Sequence, residues 1–163
     1  MRERWMHLFL ALGLALNLAP AWAADNGPTI HRIAALAQGV GEPMAIPDAD
    51  RAAIRQVIEN QLQAFLRDDG SSAFSFATPN IQAMFQTPDD FMTMVRAGYQ
   101  PVYRPRAVTF KDIISFNGAP AQRVVVVGPD GVPVIAVYPM RQMQDGTWRI
   151  DGCYLLAFRH DDA

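Results

Sequence analysis

The sequence predicts an α+β domain in which three helical segments come first and a four-stranded curved antiparallel sheet follows. Two observations indicate this order. Between residues 48 and 98, apolar side chains recur at three- and four-residue spacing, which is the period of a helix with one buried face. After Pro101 the apolar residues alternate with polar ones, which is the period of a strand. Helices followed by strands are typical of a sheet that carries its helices on one face.

The first predicted helix is long and starts near Asp48 or Asp50, either of which can cap it. Gly70 can end this helix, because glycine adopts a positive φ without a steric penalty. We expect Ile58 and Phe65 to be among the most buried residues of the protein. The apolar face of the helix consists of Ile54, Val57, Ile58, Leu62, Phe65 and Leu66.

Two shorter helical segments are predicted to begin at Thr78-Pro79 and Thr87-Pro88. In each pair the threonine hydroxyl can cap the helix, and proline suits the first helical position. The apolar side of the later segment includes Phe91, Met94 and Val95.

The strands are predicted from runs rich in Val, Ile, Tyr and Phe. These runs cover residues 102–116, 121–128, 132–143 and 147–158. Short turns join them and require antiparallel neighbours. The turn-forming pairs are Asn117-Gly118, Asp130-Gly131 and Asp145-Gly146.

The N-terminal segment has the pattern of a cleavable signal peptide. Arg2 and Arg4 precede an apolar run over residues 8–19, and Ala21-Trp22-Ala23 offers small residues at the positions that signal peptidase recognises. The run is too short for a membrane-spanning helix, which needs about 20 apolar residues. We expect cleavage after Ala23 or Ala24 and a periplasmic or secreted protein without a stable membrane anchor.

Cleavage divides the chain into four parts. Residues 1–23 are the signal peptide, 24–47 a leader rich in glycine and proline, 48–158 one α+β domain, and 159–163 a tail. The mature chain of about 140 residues is long enough to bury a core without disulfides. Cys153 is the one cysteine, and we expect it to be a small buried hydrophobic residue.

Composition excludes several classes of function. Without Arg2, Arg4 and Glu3, the mature chain keeps 12 of 14 basic and 15 of 16 acidic residues, so it has no general attraction for nucleic acid or anionic lipid. Its histidines are His31 and His160, both outside the predicted domain. A catalytic triad therefore lacks its usual base, and an imidazole-bound metal is unsupported. The sequence has no glycine-rich phosphate loop, and we expect no cofactor and no metal.

Two carboxylates fall inside predicted strands. Regular alternation places Asp112 on the same face as Phe110 and Ile114, among apolar side chains. A carboxylate buried there would have a raised pKa and could act as a general base. A β-bulge or an exposed edge face would instead turn Asp112 outward. Asp151 is expected with Arg149 on the solvated face of the last strand, opposite a row formed by Trp148, Ile150, Tyr154, Leu156 and Phe158.

The segment from Tyr99 to Arg106 combines two tyrosines and two arginines with two prolines. Arginine offers a planar fork that matches carboxylate or phosphate groups, and tyrosine adds a hydroxyl. Tyr99, Tyr103, Arg104 and Arg106 could therefore form the polar rim of a pocket for an anionic or aromatic ligand. The alternative is a structural joint, in which Arg104 and Arg106 bind helix-end carbonyls or acidic loops.

Residues 52–158 resemble a family of exported bacterial domains catalogued as domain of unknown function 4864. The resemblance rests on the TPxxF stretch from Thr87 to Phe91 and the YxPVYRPR stretch from Tyr99 to Arg106, with weaker matches in the long helix and the last strand. It implies a cone-shaped fold similar to nuclear transport factor two and the ketosteroid isomerases. It implies no function, because none is assigned to the family and that scaffold hosts both enzymes and binding proteins.

Three functions are compatible with the sequence, and we expect the first. The first is a non-catalytic module that binds an unknown small molecule or protein, with a hydrophobic pocket between helices and sheet. The second is an isomerase- or hydratase-type enzyme with Asp112 as base and Tyr99, Tyr103 or Tyr138 as hydrogen-bond donor. The third is a structural subunit that forms a homodimer through its sheet face.

The predicted export can be tested by mass spectrometry of the mature protein. We expect an N-terminus at Ala24 or Asp25, because signal peptidase cuts after the small residues at 23 and 24. Recovery of the intact chain, starting at Met1, from the membrane fraction would contradict this expectation.

Overall fold

The computed structural model describes residues 41–159. The expectations for the signal peptide, most of the leader, His31, His160 and the end of the tail lie outside the described residues. The helices of the described part are α1 Asp48–Leu66, α2 Gly70–Ser75, α3 Pro79–Phe85, α4 Pro88–Gly98 and α5 Gln100–Tyr103. Its strands are β1 Ala107–Phe116, β2 Ala119–Val127, β3 Pro133–Gln142, β4 Trp148–Ile150 and β5 Tyr154–Ala157.

This order of elements confirms the predicted α+β class, with helices followed by a curved antiparallel sheet. Two of the helices, α2 and α5, are short and were not predicted. None of the described helices is long and apolar enough to cross a membrane.

Helix α1 buries the face that the spacing predicts. Ile54 and Ile58 are fully buried and Phe65 is 2% exposed, which confirms the expectation for Ile58 and Phe65. Leu66, one position further along, is 43% exposed. The main core of the domain forms between the buried face of α1 and the sheet.

Both ends of α1 differ from the expectation. Pro47 occupies the N-cap without a side-chain hydrogen bond, and Asp48 and Asp50 lie in the first turn, where the helix dipole favours carboxylates. The helix ends before Gly70, and the residue with a positive φ is Asp68, at 56°. Aspartate tolerates this left-handed conformation better than most residues. Gly70 begins α2 instead.

Helices α3 and α4 begin at the two predicted threonine–proline pairs. Thr78 and Thr87 occupy the N-caps, and a proline follows each. Thr87 Oγ1 accepts a hydrogen bond from the Asp90 backbone N–H. Thr78 makes no capping bond, and its hydroxyl donates to Asp151 Oδ1 at 2.7 Å instead. This bond ties the start of α3 to the sheet.

The strands pair antiparallel in the order β1-β2-β3-β4, and β5 pairs with β3 beside β4. The first strand begins at Ala107 rather than at residue 102, because Gln100–Tyr103 forms α5. Pro101 lies in the first turn of α5, where its missing N–H costs no helical hydrogen bond. The second and third strands differ from the prediction by one or two residues at their ends.

The fourth predicted strand is interrupted by a β-bulge and forms β4 and β5. Met140 of β3 pairs with Ile150 of β4, and Val137 of β3 pairs with Tyr154 of β5. The three residues 151–153 therefore face two residues of β3. The extra residue disrupts the ladder locally and reverses the faces of the side chains that follow.

This reversal overturns the prediction that one face carries all five apolar side chains of the last strand. Trp148 and Ile150 lie in the main core. Tyr154, Leu156 and Phe158 pack on the opposite face of the sheet. They contact a second buried cluster there, formed by Ile114, Phe116, Ala121, Ile135 and Val137. Dimerisation through a sheet face stays a prediction.

The assignment of the α1 face can be tested with two neighbouring substitutions. Phe65→Ala is expected to lower the free energy of unfolding by about 3–5 kcal/mol, because it leaves a cavity in the core. Leu66→Ala is the control and is expected to cost far less, since Leu66 is 43% exposed. Urea unfolding followed by circular dichroism measures both. Equal losses for the two variants would contradict the assignment.

Candidate functional site

A cavity of about 510 Å³ lies between the helices and the sheet. Residues of α1, α3, α4 and α5 line one side, and residues of β3 and the segment 150–154 line the other. Most of the lining is apolar. It includes Phe65, Ile81, Met84, Phe85, Phe91 and Val95. A hydrophobic cavity in this position is what the binding-module hypothesis requires.

Phenylalanine rings give the helical wall a defined shape. The Phe91 ring packs against those of Phe65, Phe74 and Phe85, with ring centroids 6.1, 5.3 and 5.6 Å away, respectively. The residue Met84 lines the cavity and is nevertheless 69% exposed. The cavity therefore opens to solvent beside α3.

The polar groups of the cavity lie mainly on its sheet side. Tyr138 on β3 is fully buried, and its hydroxyl has no partner at hydrogen-bonding geometry. The Cys153 thiol lies beside this hydroxyl. Tyr99 donates its hydroxyl hydrogen to the Cys153 backbone carbonyl at 3.1 Å. Gln61 Nε2 donates to a backbone carbonyl of α2 at 3.1 Å.

Burial further stabilises the neutral forms of the two tyrosine hydroxyls and the Cys153 thiol. It raises the pKa of the Tyr138 hydroxyl well above its ordinary value and also raises the pKa of Tyr99. Burial raises the pKa of the Cys153 thiol to about 12. Since the reactive form of cysteine is the thiolate, this thiol is not activated as a nucleophile.

Asp151 is the one charged side chain among the described lining residues. We expected it on a solvated face with Arg149, but its side chain is 23% exposed. It accepts a hydrogen bond from Thr78 and pairs with Arg141 at 2.6 Å. The bulge at residues 151–153 places Asp151 at the joint between α3 and the sheet.

Asp112 does not face the cavity. Phe110 pairs with Val124 and Ile113 pairs with Gln122, so two residues of β1 face one residue of β2. This β-bulge turns Asp112 outward, where it is exposed and lies 3.5 Å from Arg123 Nε. The regular alternation that would have buried Asp112 is therefore absent. The described structure has no inward carboxylate at the position that the enzyme hypothesis assigned to the base.

The four residues predicted as a polar rim do not come together. Tyr99 lines the cavity. Tyr103 and Arg104 instead surround Asp68, which follows α1. Arg106 is exposed, and its backbone N–H donates to the Val127 carbonyl at 2.8 Å. Arg104 contacts Asp68 and Arg106 does not, because the chain turns between α5 and β1.

Arg104 joins α5 to the C-terminal end of α1. Its guanidinium donates to Asp68 Oδ2 at 2.7 Å and to the Phe65 carbonyl, and it stacks 3.7 Å from the centroid of the Tyr103 ring. The Tyr103 hydroxyl donates to Asp68 Oδ1, and Arg96 lies 3.6 Å from the same carboxylate. These are the contacts of the structural-joint alternative. The hydrogen bonds from Arg104 and Tyr103 lower the pKa of Asp68 from 3.8 to about 2.

Sequence analysis did not identify Asp68 or the segment 151–154 as residues of the site. Asp68 lies in a short loop whose neighbours give no sign of its partners in α5. The bulge did leave a signal, because Asp151-Gly152 is a turn-forming pair inside a predicted strand. A glycine within a strand often marks a bulge.

Comparison with known proteins identifies one family. The family described as "Domain of unknown function (DUF4864)" matches residues 47–163. No curated protein and no solved structure matches the chain significantly. Within residues 41–159, no group of three or more His, Cys, Asp or Glu side chains could hold a metal ion.

The Arg104 joint can be tested by its effect on stability and on pH dependence. Arg104→Ala is expected to lower the melting temperature, because α1 and α5 lose their link and Asp68 loses its main partner. Arg106→Ala is the matched control and is expected to leave the melting temperature unchanged. Thermal unfolding followed by circular dichroism compares the three proteins.

The loss caused by Arg104→Ala should depend on pH. Asp68 has a lowered pKa in the folded wild type, so its contribution is present above its ordinary value of 3.8 and disappears as the pH falls through about 2. The difference in melting temperature should therefore be constant from pH 7 to about 4 and shrink below that pH. A difference that stays constant to pH 2 would exclude Asp68 as the partner.

Proposed function

We propose that this chain, which belongs to the family described as domain of unknown function (DUF4864), is a non-catalytic module that binds a small apolar ligand between its helices and its sheet. The observation that carries the proposal is the cavity itself. Its volume of about 510 Å³ falls within the range typical of small-molecule sites. Its largely apolar lining can take up an apolar molecule that water solvates poorly.

The placement of the aromatic side chains supports a preformed site. Phe65 and Phe91 belong to the main core as well as to the cavity wall, so packing holds them in place. A ligand that enters beside Met84 would meet rings that need no rearrangement. Binding to such a wall costs little conformational entropy.

The chemistry of the lining supports binding rather than catalysis. A general base works best when its pKa lies near the working pH. Burial moves the pKa values of Tyr99, Tyr138 and Cys153 upward, away from that range. Asp151 is engaged by Thr78 and Arg141. Among the described residues that line the cavity, no free general base lies beside an activated nucleophile.

Two further parts of the proposal rest on the sequence. Residues 1–23 have the pattern of a signal peptide, and we propose that the protein works in the periplasm or outside the cell. The helices that follow one another across one face of a curved sheet fit the cone-shaped fold of nuclear transport factor two-like proteins.

The proposed site can be tested with the neutral fluorescent probe N-phenyl-1-naphthylamine. We expect saturable binding to the wild type with an increase in fluorescence. Met94→Trp should weaken binding at least about tenfold, because the indole occupies the cavity that Met94 lines. Ala97→Trp, an exposed position on the same helix, is the control and should bind like the wild type.

Circular dichroism should establish that both tryptophan variants are folded before their affinities are compared. A wild type that shows no saturable binding would refute the proposal. Equal affinities for Met94→Trp and Ala97→Trp would place the probe outside the cavity.

A further inference from the structure

The Tyr138 hydroxyl is the least satisfied polar group of the cavity. The residue is 0% exposed, and the polar group beside its hydroxyl is the Cys153 thiol, a weak partner that lies outside normal hydrogen-bond geometry. Buried polar groups in proteins nearly always have a partner, and an exception calls for an explanation. A tyrosine hydroxyl in this state offers a hydrogen to any acceptor that enters the cavity.

The fold keeps Tyr138 in this position. Its backbone pairs with Gln122 of β2, near the middle of the sheet, and its side chain belongs to the main core. The side chain cannot turn toward water without breaking that packing. The nearby Tyr99 hydroxyl already donates to the Cys153 carbonyl, whereas the Tyr138 hydroxyl donates to no carbonyl or carboxylate of the described residues.

The charges around the cavity restrict the ligand further. Among the described residues that line it, no arginine or lysine is present, and the one carboxylate belongs to Asp151. An anionic group would therefore lose its hydration without gaining a cation. A cationic group would find Asp151 already paired with Arg141. A neutral ligand avoids both costs.

We propose that the ligand is a neutral, largely apolar small molecule with one hydrogen-bond acceptor, such as a ketone or ester carbonyl, that accepts from the Tyr138 hydroxyl. This inference rests on the proposed function, because it names the chemical class that the cavity takes. The apolar part of the ligand packs against the phenylalanine wall. Its acceptor lies at the sheet side, beside Cys153.

The test compares three probes of similar size in displacement of N-phenyl-1-naphthylamine. Hexanophenone carries a ketone, heptylbenzene has two methylene groups in place of that carbonyl and the same number of heavy atoms, and 7-phenylheptanoate carries an anion. For the wild type, we expect hexanophenone to bind more tightly than 7-phenylheptanoate.

Tyr138→Phe removes the donor and keeps the ring. It should weaken hexanophenone about three- to tenfold, the range expected for one hydrogen bond. It should leave the affinity for heptylbenzene unchanged or slightly higher. Tyr99→Phe is the matched control and should not reproduce the selective loss, since the Tyr99 hydroxyl is already engaged.

Three outcomes of the displacement experiment overturn the inference. One is an equal effect of Tyr138→Phe on hexanophenone and heptylbenzene, and the second is tighter binding of 7-phenylheptanoate than of hexanophenone. In both cases the cavity still binds apolar molecules and the proposed function stands. The third is that none of the probes binds the wild type, in which case the proposed function fails as well.

A measurement on the wild type alone covers the case in which Tyr138→Phe does not fold. Hexanophenone labelled with ¹³C at the carbonyl should show a downfield carbonyl resonance in the complex, relative to its resonance in cyclohexane, because a donated hydrogen bond deshields this carbon. A bound resonance at the cyclohexane position would overturn the inference.

Discussion

The fold depends on the burial of the apolar face of α1 against the sheet. Ile54 and Ile58 are fully buried in this contact, and Phe65 ends the stripe. The other helices lie around it, and the guanidinium of Arg104 links α5 to the Phe65 carbonyl near the end of α1. Helices α3 and α4 cover the remaining part of the same sheet face. The cavity is the space that α1, α3, α4, α5 and the sheet leave between them.

Two β-bulges determine which side chains reach that space. The bulge in β1 turns Asp112 away from the core and toward Arg123. The bulge between β4 and β5 brings Cys153 next to the Tyr138 hydroxyl and sends Leu156 to the opposite face. Each bulge inserts one extra residue. The first removes the Asp112 carboxylate from the helical side of the sheet, and the second places the polar groups of residues 151–153 in the wall of the cavity. A small change in register therefore has a large effect on the chemistry of the site.

The cavity and the buried Tyr138 hydroxyl carry a local cost in stability. The side chains that line the cavity make fewer dispersion contacts than a filled core would supply. Burial exchanges the hydrogen bond of the Tyr138 hydroxyl to water for a place beside the Cys153 thiol, a weak partner. In the function proposed above, a ligand of the right shape and polarity offsets both costs. Natural proteins commonly accept such local costs at functional sites, where the surrounding structure is stable enough to bear them.

The sequence by itself determined the order of helices and strands, the buried face of α1 and the starts of α3 and α4. These features depend on residues within a turn or two of one another, so the local pattern contains them. The tertiary structure decided between the bulged and the regular strands that the sequence left open, and it alone decided the partners of Asp68 and the volume and lining of the cavity. A bulge exists only relative to the strand that it faces, and Asp68 meets Arg104 only after α5 has packed on α1. A cavity is a volume left between packed elements, and no periodicity along the chain records how completely those elements fill the space.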